Sequence, residues 1–529
     1  MQANKKKLSL AILLSLSIIA AGCGSSSDKE TTSSTDTSTN TDNVNSEAPV
    51  EKEEPITITF AGSTWDTPTE DGNEVQKYLE EKFNVKIINE RVTDDNFKVK
   101  IAAGEIPDVF PQTPNESDMT NYARQGIIAS ISVDDIRKYM PKYSADVDSV
   151  NPQAWDIALI DGKNYGVPRV WLNGAYGFIP TYNKNWLTAI GYSEPPKTIA
   201  EFEDVLTKFR NNDPDGNGQK DTYGMTARGK DARNQFFNSI YASFGINPYQ
   251  FSVGADGKLT WGALTDQAKE ATKLINKWYK ADLIDPEFMT DGNDQIGQKW
   301  NSQKIGYKEN FMYHHLFGML EGDKANNVEA AYGKGLVGPA GKTLVFSNGA
   351  LQVPLLFGKD VETNEKKRVK ILQILEELAT NDEVYLKTVF GDEGTTYDIV
   401  NGAPTIKAPY DTPEKKNEFG FGGFYNPLVE RDTSTWKFHF TPDKLAFRDQ
   451  LNNGNEIIAD VLGPTVLESK GKYSATLNAL QDEFYTRAVT TTDDLDAMFE
   501  DFKNKWLKSG GQEMLDEANK VYEARQAAK

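Results

Sequence analysis

The sequence predicts an α/β protein with two lobes, each a β-sheet flanked by helices. Two observations indicate this fold class. Strand-like and helix-like segments alternate from residue 55 onward, as in sheets whose strands are connected through helices. About 475 residues follow the polar N-terminal segment, which is more than one hydrophobic core usually accommodates. Since a second α/β segment starts near Phe178, we expect one lobe on each side of that residue.

The N-terminus has the features of a lipoprotein signal peptide. Lys5 to Lys7 precede an apolar run from Leu8 to Ala21, which is too short for a transmembrane helix but long enough for the core of a signal peptide. The run ends in AAGC, which resembles the lipobox of bacterial lipoproteins. This resemblance implies that residues 1–22 are removed and that Cys23 becomes the N-terminus and receives a lipid such as palmitate. The alternative is that Cys23 is an incidental thiol.

Residues 23–54 predict a disordered tether. They contain many Ser, Thr, Asn and charged residues and almost no apolar ones, so they cannot bury enough surface to offset the entropy of ordering. Cys23 is the one cysteine among 529 residues, which excludes an intramolecular disulfide. A lipid on Cys23 would hold the working domain at the extracellular face of the cytoplasmic membrane.

The chain is strongly acidic. Its 58 Lys and Arg and 78 Asp and Glu give a net charge of −20, which becomes −23 once the three lysines of residues 1–22 are removed. Such a surface repels phosphate backbones and anionic lipid headgroups, so nucleic acid is not an expected partner.

The first lobe is expected over residues 55–178. Apolar and polar residues alternate from Ile56 to Phe60, which predicts a strand, and Asn73 is a suitable N-cap for the helix that follows. The scheme then repeats, with a helix ending at Gly104 and a short strand at Asp108 to Phe110. In a parallel sheet the loops after the strands form the ligand crevice. The predicted crevice residues in these loops are Trp65, Asp66, Gln112 and Thr113.

The second lobe is expected over residues 183–337. Thr198 and Glu201 form the pattern of a capping box, and the apolar residues of the helix that follows recur on one face. Residues 265–285 predict another amphipathic helix, and residues 304–313 predict a strand.

The segment DPDGNGQKDTYG, residues 213–224, has the spacing of a calcium loop. Oxygen-bearing side chains alternate around Gly218, which permits the sharp turn that such a loop needs. Position twelve is Gly224, where an EF-hand has a bidentate glutamate, and glycines break the following segment, so no second helix is available for sensing. We therefore expect a structural Ca²⁺, with an Asx-rich turn without metal as the alternative. The candidate ligands are Asp213, Asp215, Asn217, Gln219 through its carbonyl, and Asp221.

Three blocks, together with the lipobox and the tether, resemble the family 1 extracellular solute-binding proteins of ABC importers. They are YNKNWLTAIGYSEPPKTIAEF, VFGDEGTTYDIVNGAPT and the terminal SGGQEMLDEANKVYEA. The large Gram-positive lipoproteins and the alginate-oligosaccharide-binding proteins of that family are the most similar. The resemblance implies a two-lobed fold of the periplasmic-binding-protein type (type II), with a hinge, and capture of a carbohydrate for an ABC permease by a monomer. It also implies chain crossings near 177–183 and 338–348, a return to the first lobe over 338–400, and a mainly helical part, 401–529, packed on the second lobe.

A cleft for sugars needs aromatic platforms and planar polar partners. Arg169 and Trp171 lie among glycines before the implied hinge, and Trp436 lies in a loop. Tyr182 is on the crossing segment, where hinge packing is the competing role. The resemblance adds Tyr313, Glu393 and Tyr397 as expected contacts. Arg169 would suit a uronate, although neutral oligosaccharides are equally compatible with the sequence.

No pattern predicts catalysis. His314 and His315 are adjacent and point in different directions, so they cannot chelate one metal, and only His439 remains. A secreted glycoside hydrolase is a first alternative, because Asp66 and Glu393 could serve as its two carboxylates. An adhesion or sensor lipoprotein that binds glycans is a second.

Overall fold

The computed structural model describes residues 54–62, 68, 70–111, 114, 116–171, 178–231, 236–311, 323–347, 349–428, 436–452 and 454–527. Several predicted positions lie outside these residues: the signal peptide, the tether up to residue 53, Cys23, Trp65, Asp66, Gln112, Thr113 and Tyr313. Within the described ranges, no helix has both the length and the apolar character needed to cross a membrane.

The first lobe opens with the predicted strand and helix. Its elements are β1 (Ile56–Phe60), α1 (Glu74–Phe83), β2 (Val85–Asn89), α2 (Asp94–Ala102), α3 (Glu116–Arg124), α4 (Val133–Tyr139), α5 (Pro141–Val150), β3 (Leu159–Ile160), β4 (Lys163–Asn164) and β5 (Val167–Val170). β1 pairs with β2 in parallel, and Asn73 caps α1 by accepting a hydrogen bond from the backbone N–H of Gln76. The strand expected at 108–110 is reduced to single bridges, from Val109 to Phe60 and to Phe357.

The second lobe contains a mixed sheet, for which the sequence predicted strands and helices but no strand direction. Its elements are β6 (Phe178–Asn183), α6 (Lys184–Ala189), α7 (Ile199–Asn211), β7 (Tyr223–Met225), α8 (Asn238–Ser243), β8 (Phe251–Val253), β9 (Leu259–Trp261), α9 (Asp266–Lys280), α10 (Asn293–Asn301), β10 (Ile305–Phe311), β11 (Ala330–Tyr332) and β12 (Leu344–Phe346). The strand order is β11-β6-β10-β7, with β10 antiparallel to β6 and parallel to β7. The capping box predicted for α7 is confirmed.

The remaining chain contributes to both lobes. Its elements are β13 (Leu351–Leu355), α11 (Asp360–Thr363), α12 (Glu365–Thr380), α13 (Asp382–Val389), β14 (Tyr397–Val400), β15 (Ala403–Ile406), α14 (Pro413–Phe419), α15 (Pro442–Asn452), β16 (Glu456–Ile458), α16 (Glu468–Thr490), α17 (Leu495–Trp506) and α18 (Gln512–Ala527). β13 pairs antiparallel with β5 of the first lobe, and β16 pairs in parallel with β12 of the second.

Two large hydrophobic cores define the lobes. The first core contains residues of β1, α1, β5, β13 and α12, and the second contains residues of β6, α7, α9 and α16 to α18. The expected boundaries need two corrections. Leu344 and Phe346 still belong to the second core, so the chain returns to the first lobe near Leu351 and not at 338. Residues of segment 401–428, such as Phe424, pack in the first core and not in the second. Amphipathic periodicity indicates that a segment is buried but does not indicate which core it joins.

Candidate functional site

A cavity of about 710 Å³ lies between the two lobes. The first lobe contributes residues of α3, of β5 and of β13, and the second contributes the segments around Gln250, Ser347 and Asp460 and the start of α16. Drug-sized ligand pockets span about 300–1,000 Å³, so the cavity has the volume of a small-molecule site. It lies where the chain crosses between the lobes, since β5 and β13 precede and follow those crossings.

Arg169, which the sequence predicted as a cleft residue, is part of the wall of this cavity. It lies on β5 and is 1% exposed. Its guanidinium donates hydrogen bonds to the carbonyl of Val353 at 3.4 Å and to Oε1 of Gln352 at 3.3 Å, both on the paired strand β13. The positive charge is therefore held in place by the first lobe.

Lys470 brings a second positive charge to the cavity, from the first turn of α16. Its Nζ lies 2.9 Å from Oε2 of Glu116, at the start of α3 in the opposite lobe. Burial alone would lower the pKa of Lys470, but the carboxylates of Glu116 and Asp460 outweigh that effect and raise the pKa above its usual value. The ammonium is thus retained, and it pairs with an acid across the cavity.

Asp460 is the second carboxylate of the described cavity wall. It accepts hydrogen bonds from the backbone N–H groups of Phe251 at 3.2 Å and of Leu462 at 2.9 Å. Burial raises the pKa of this carboxyl, against the opposing effect of those hydrogen bonds and of Lys470.

Further polar contacts join the lobes beside the cavity. Arg124 of α3 pairs with Glu468 of α16 at 3.2 Å. Arg525 of α18 pairs with Asp156 at 2.7 Å and donates to the carbonyl of Leu462 at 2.6 Å. We call the pairs Glu116–Lys470, Arg124–Glu468 and Asp156–Arg525 the inter-lobe ion pairs. They connect the two lobes on this side of the molecule.

Tyr182 and Trp171 lie elsewhere than in this wall. Tyr182 is 0% exposed within the second core, with its ring centroid 5.0 Å from that of Tyr307. A solute cannot reach this ring. Tyr182 therefore has the competing role of packing in the core and not the predicted role of contacting the ligand. Trp171 is half-buried and its backbone N–H donates to the carbonyl of Ala350 at 2.7 Å, next to residues 172–177, which lie outside the described part of the chain.

The residues predicted from the EG…Y block are not in the described wall of the cavity. Tyr397 is 3% exposed and packs against Phe390, at 5.8 Å between ring centroids. Glu393 is exposed at the preceding turn. Trp436 begins a short 3₁₀ helix, Trp436–Phe438, and its side chain lies outside what is described.

Sequence reasoning missed most of the described cavity wall. Glu116 follows the segment Asp108–Phe110 that was expected as a strand, and the loop-after-strand argument that selected Gln112 and Thr113 could have been extended to it. Asp460 and Lys470 offer no such signal, because they follow a strand pair that forms only through tertiary contact between β12 and β16. Gln250 likewise lies in a segment without periodicity.

The predicted calcium loop is folded around its acidic residues. Asp213 accepts hydrogen bonds from the backbone N–H groups of Asn217 at 3.1 Å and Gly218 at 2.9 Å. Nδ2 of Asn217 donates to Asp215 at 2.8 Å and to Asp221 at 3.2 Å. Asp221 also pairs with Lys304, at the entrance to β10. The loop leads into β7, which agrees with the prediction that no helix follows it.

The donor set of this loop fits a hard cation. Oδ1 of Asp215 is buried without a hydrogen-bond partner among the described residues. Burial, and then the carboxylates of Asp213 and Asp221, raise the pKa of Asp215 despite a hydrogen bond from Asn217, and a bound cation would reverse this effect. The carboxylates are not drawn together as a ligand set, since nowhere in the described chain do three His, Cys, Asp or Glu side chains converge in that way. The amide of Asn217 lies between two of them instead.

The chain matches a known protein family over parts of both lobes. Residues 75–351, more than half of the chain, match the bacterial extracellular solute-binding proteins. The chain belongs to this family. Solved structures of solute-binding proteins share its fold over most of its length. The two lobes with a cavity between them are therefore the fold of a solute-binding protein.

Three proteins illustrate what this chain is similar to in sequence or in fold. The fructooligosaccharide-binding protein FusA of Streptococcus pneumoniae is 32% identical over 217 residues, which cover 39% of this chain and 40% of FusA. Its structure with kestose has a TM-score of 0.67 at 21% identity, covering 89% of this chain and 100% of that one. The polygalacturonan/rhamnogalacturonan-binding protein YtcQ of Bacillus subtilis is 23% identical and covers 85% of this chain and 87% of its own. Alginate-binding AlgQ2, solved without calcium ion, has a TM-score of 0.65 at 16% identity and covers 89% of this chain and 98% of its own.

Proposed function

We propose that this solute-binding protein captures an oligosaccharide in the cavity between its lobes and delivers it to the permease of an ABC importer. The observation that carries the proposal is the cavity of about 710 Å³, which has walls from both lobes. Hinged lobes that close around a solute couple binding to a change of shape, and a permease can recognise that change. The relatives support a carbohydrate, since their names specify fructooligosaccharide and polygalacturonan or rhamnogalacturonan.

The carboxylates of the described cavity wall support binding without catalysis. A glycosidase needs one carboxyl group as a proton donor and a second as a nucleophile or base. Oε2 of Glu116 is paired with the ammonium of Lys470, and Asp460 accepts two backbone hydrogen bonds, so the two carboxyl groups are not arranged as a proton donor and a nucleophile. The hydrolase alternative is therefore less well supported than the receptor.

A melting-temperature panel tests the proposal directly. Neutral and acidic oligosaccharides of two to six units are incubated with the protein, and each mixture is then analysed by chromatography. A ligand that binds only the folded state raises the melting temperature, and a receptor returns the sugar intact. Shortened products would favour the hydrolase. The adhesion or sensor alternative would be favoured by a different pair of results. The sugar would raise the melting temperature of the protein, and cells lacking this chain would still take up that sugar.

We further propose that Cys23 is lipidated after removal of residues 1–22 and holds the protein at the extracellular face of the cytoplasmic membrane. The AAGC motif after an apolar run supports this. In a Cys23→Ala variant, we expect the protein to leave the membrane fraction or to retain its signal peptide, which mass spectrometry of the N-terminal peptide distinguishes from wild type. An unmodified Cys23 thiol in the membrane fraction would contradict lipidation.

We also propose a structural Ca²⁺ in the loop of the second lobe. The residues that would hold it are Asp213, Asp215, Asn217, Gln219 through its carbonyl, and Asp221. A divalent cation would neutralise the mutual repulsion of these carboxylates and tie the end of α7 to the start of β7.

A further inference from the structure

The charged groups of the described cavity wall are balanced. They are two cations, Arg169 and Lys470, and two carboxylates, Glu116 and Asp460. Arg169 donates to Gln352 and to a backbone carbonyl, and Lys470 pairs with Glu116 at 2.9 Å. Both positive charges therefore have partners within the protein, and an anion at Nη1 or Nη2 of Arg169 or at Nζ of Lys470 would have to displace them.

Two hydrogen-bond acceptors in the same wall lack a donor among the described residues. Oε1 of Glu116 and Oε1 of Gln250 are both buried, and neither has a hydrogen-bond donor among the described residues. The other polar atoms of these two side chains are in use, since Oε2 of Glu116 pairs with Lys470 and Nε2 of Gln250 donates to the carbonyl of Ser347 at 3.0 Å. One acceptor belongs to each lobe, so each side of the cavity presents an oxygen that needs a donor.

The chemistry of the solute is inferred from these two acceptors, one on each side of the cavity. Sugar hydroxyl groups donate hydrogen bonds, whereas an ionised uronate carboxylate only accepts them. We propose that the cavity selects neutral, hydroxyl-rich oligosaccharides over oligo-uronates, with Glu116 and Gln250 as the residues that determine this specificity. The inference rests on the proposed function and adds the class of sugar to it. It replaces the uronate that the position of Arg169 alone would suggest.

Matched pairs of sugars test the inference. Each pair differs only in the group at C6: galactotriose with trigalacturonate, mannotriose with trimannuronate, and cellotriose with triglucuronate, and kestose is a further neutral probe. We expect at least one neutral sugar to raise the melting temperature and its uronate partner to bind at least tenfold more weakly. Equal or tighter binding of a uronate would overturn the selectivity but leave the proposed function intact. A panel in which no sugar binds would overturn both.

Two variants test the assigned residues by calorimetry. Glu116→Gln keeps the shape of the side chain but removes the carboxylate that pairs directly with Lys470, so we expect uronate affinity to rise and neutral affinity to fall, each by about tenfold. Gln250→Leu should weaken the neutral sugar by about tenfold without creating uronate binding. The matched control is Glu468→Gln, which breaks the inter-lobe pair with Arg124 outside the cavity wall and should change both affinities by the same factor. If the ratio of neutral-sugar to uronate affinity is unchanged in Glu116→Gln, then Glu116 does not determine the specificity.

Discussion

Lys308 carries a charged group that is buried in the second lobe. It lies on β10 and is 2% exposed, with Nζ 4.3 Å from the ring centroid of Trp300 and without a hydrogen-bond partner among the described residues. The neighbouring acid is Asp323, which accepts a hydrogen bond from Nε1 of Trp300 at 2.9 Å. Burial lowers the pKa of Lys308 to about 8, although Asp323 acts against that effect.

The lowered pKa of Lys308 makes the unfolding free energy of the protein depend on pH. Below about pH 8 the lysine is protonated in both the folded and the unfolded protein, so its burial penalty is constant. Between about pH 8 and the unfolded value near 10.5, the unfolded chain binds more protons, and the folded protein gains stability as pH rises. Relative to Lys308→Met, wild type should gain roughly 2–3 kcal/mol of unfolding free energy between pH 8 and pH 10. Urea unfolding at several pH values measures this difference.

The control for this experiment is Lys505→Met. Lys505 is 61% exposed and pairs with Asp501 one turn away on α17, so its removal should leave no comparable slope. A difference between wild type and Lys308→Met that stays flat from pH 7 to pH 10 would show that the lysine retains its proton in the folded state.

At the scale of residues, what the sequence can predict depends on how local the signal is. Arg169 was found because it stands among glycines before a predicted crossing, and the structure places it in the cavity wall. The pair of Glu116 and Lys470 joins residues 354 positions apart in the numbering, and no local pattern connects them. Tyr182 was misassigned because position alone cannot distinguish an aromatic ring in a cleft from one in a core.

The helix α7 is the element whose start the sequence specifies most clearly. Oγ1 of Thr198 accepts a hydrogen bond from the backbone N–H of Glu201 at 3.2 Å, and Glu201 accepts one from the backbone N–H of Thr198 at the same distance. Thr198→Ala removes one of these bonds and should lower the unfolding free energy by about 1 kcal/mol. Chemical denaturation measures the change. Thr188→Ala, at an exposed helical position, is the control and should lie within about 0.5 kcal/mol of wild type.

Chelation tests the structural Ca²⁺ proposed for the loop of residues 213–221. We expect chelation with EDTA to lower the melting temperature, because the carboxylates of Asp213 and Asp221 then repel that of Asp215 without a bound cation to offset the repulsion. The same sugars should bind before and after chelation, since the loop is not part of the described cavity wall. Asp215→Ala should abolish the effect of EDTA. A change in sugar preference on chelation would contradict a purely structural role.

The control for the loop is Asp256→Ala. Asp256 lies in a different turn of the second lobe, where it accepts a hydrogen bond from the backbone N–H of Lys258 at 3.1 Å. This variant should respond to EDTA as wild type does. If it loses the response as well, the effect of EDTA does not arise from residues 213–221.

At the scale of elements, prediction succeeded where a cap and a periodicity coincide. α1 and α7 begin at the residues that the capping pattern indicates, and β1 and β10 follow their apolar patterns. The mixed sheet of the second lobe was not predicted, because the antiparallel pairing of β6 with β10 joins segments separated by more than 100 residues. Strand direction is decided by such tertiary pairing and not by local composition.

Ion pairs and hydrogen bonds connect the two lobes of the molecule. Arg525, near the end of α18, donates hydrogen bonds at 2.6 Å to the carbonyl of Leu462 and at 2.7 Å to Asp156 of the first lobe. The inter-lobe ion pairs are partly exposed, so each contributes a small stabilisation that salt screens. A contact of this strength can bias an equilibrium between lobe positions without preventing a solute from entering.

Replacing Arg525 should therefore move that equilibrium. In Arg525→Gln we expect small-angle scattering of the sugar-free protein to give a larger radius of gyration, because one of the inter-lobe pairs is lost. Sugar affinity should fall by roughly two- to fivefold, since the closed form becomes less populated before binding, and the selection between neutral and acidic sugars should not change. Raising the salt concentration should move wild type towards the variant. Lys505→Gln alters a lysine that pairs within α17, so it should leave shape and affinity unchanged. If wild type and Arg525→Gln scatter identically with and without sugar, then the lobes of this protein are not held by these pairs, and closure must be controlled by the chain crossings alone.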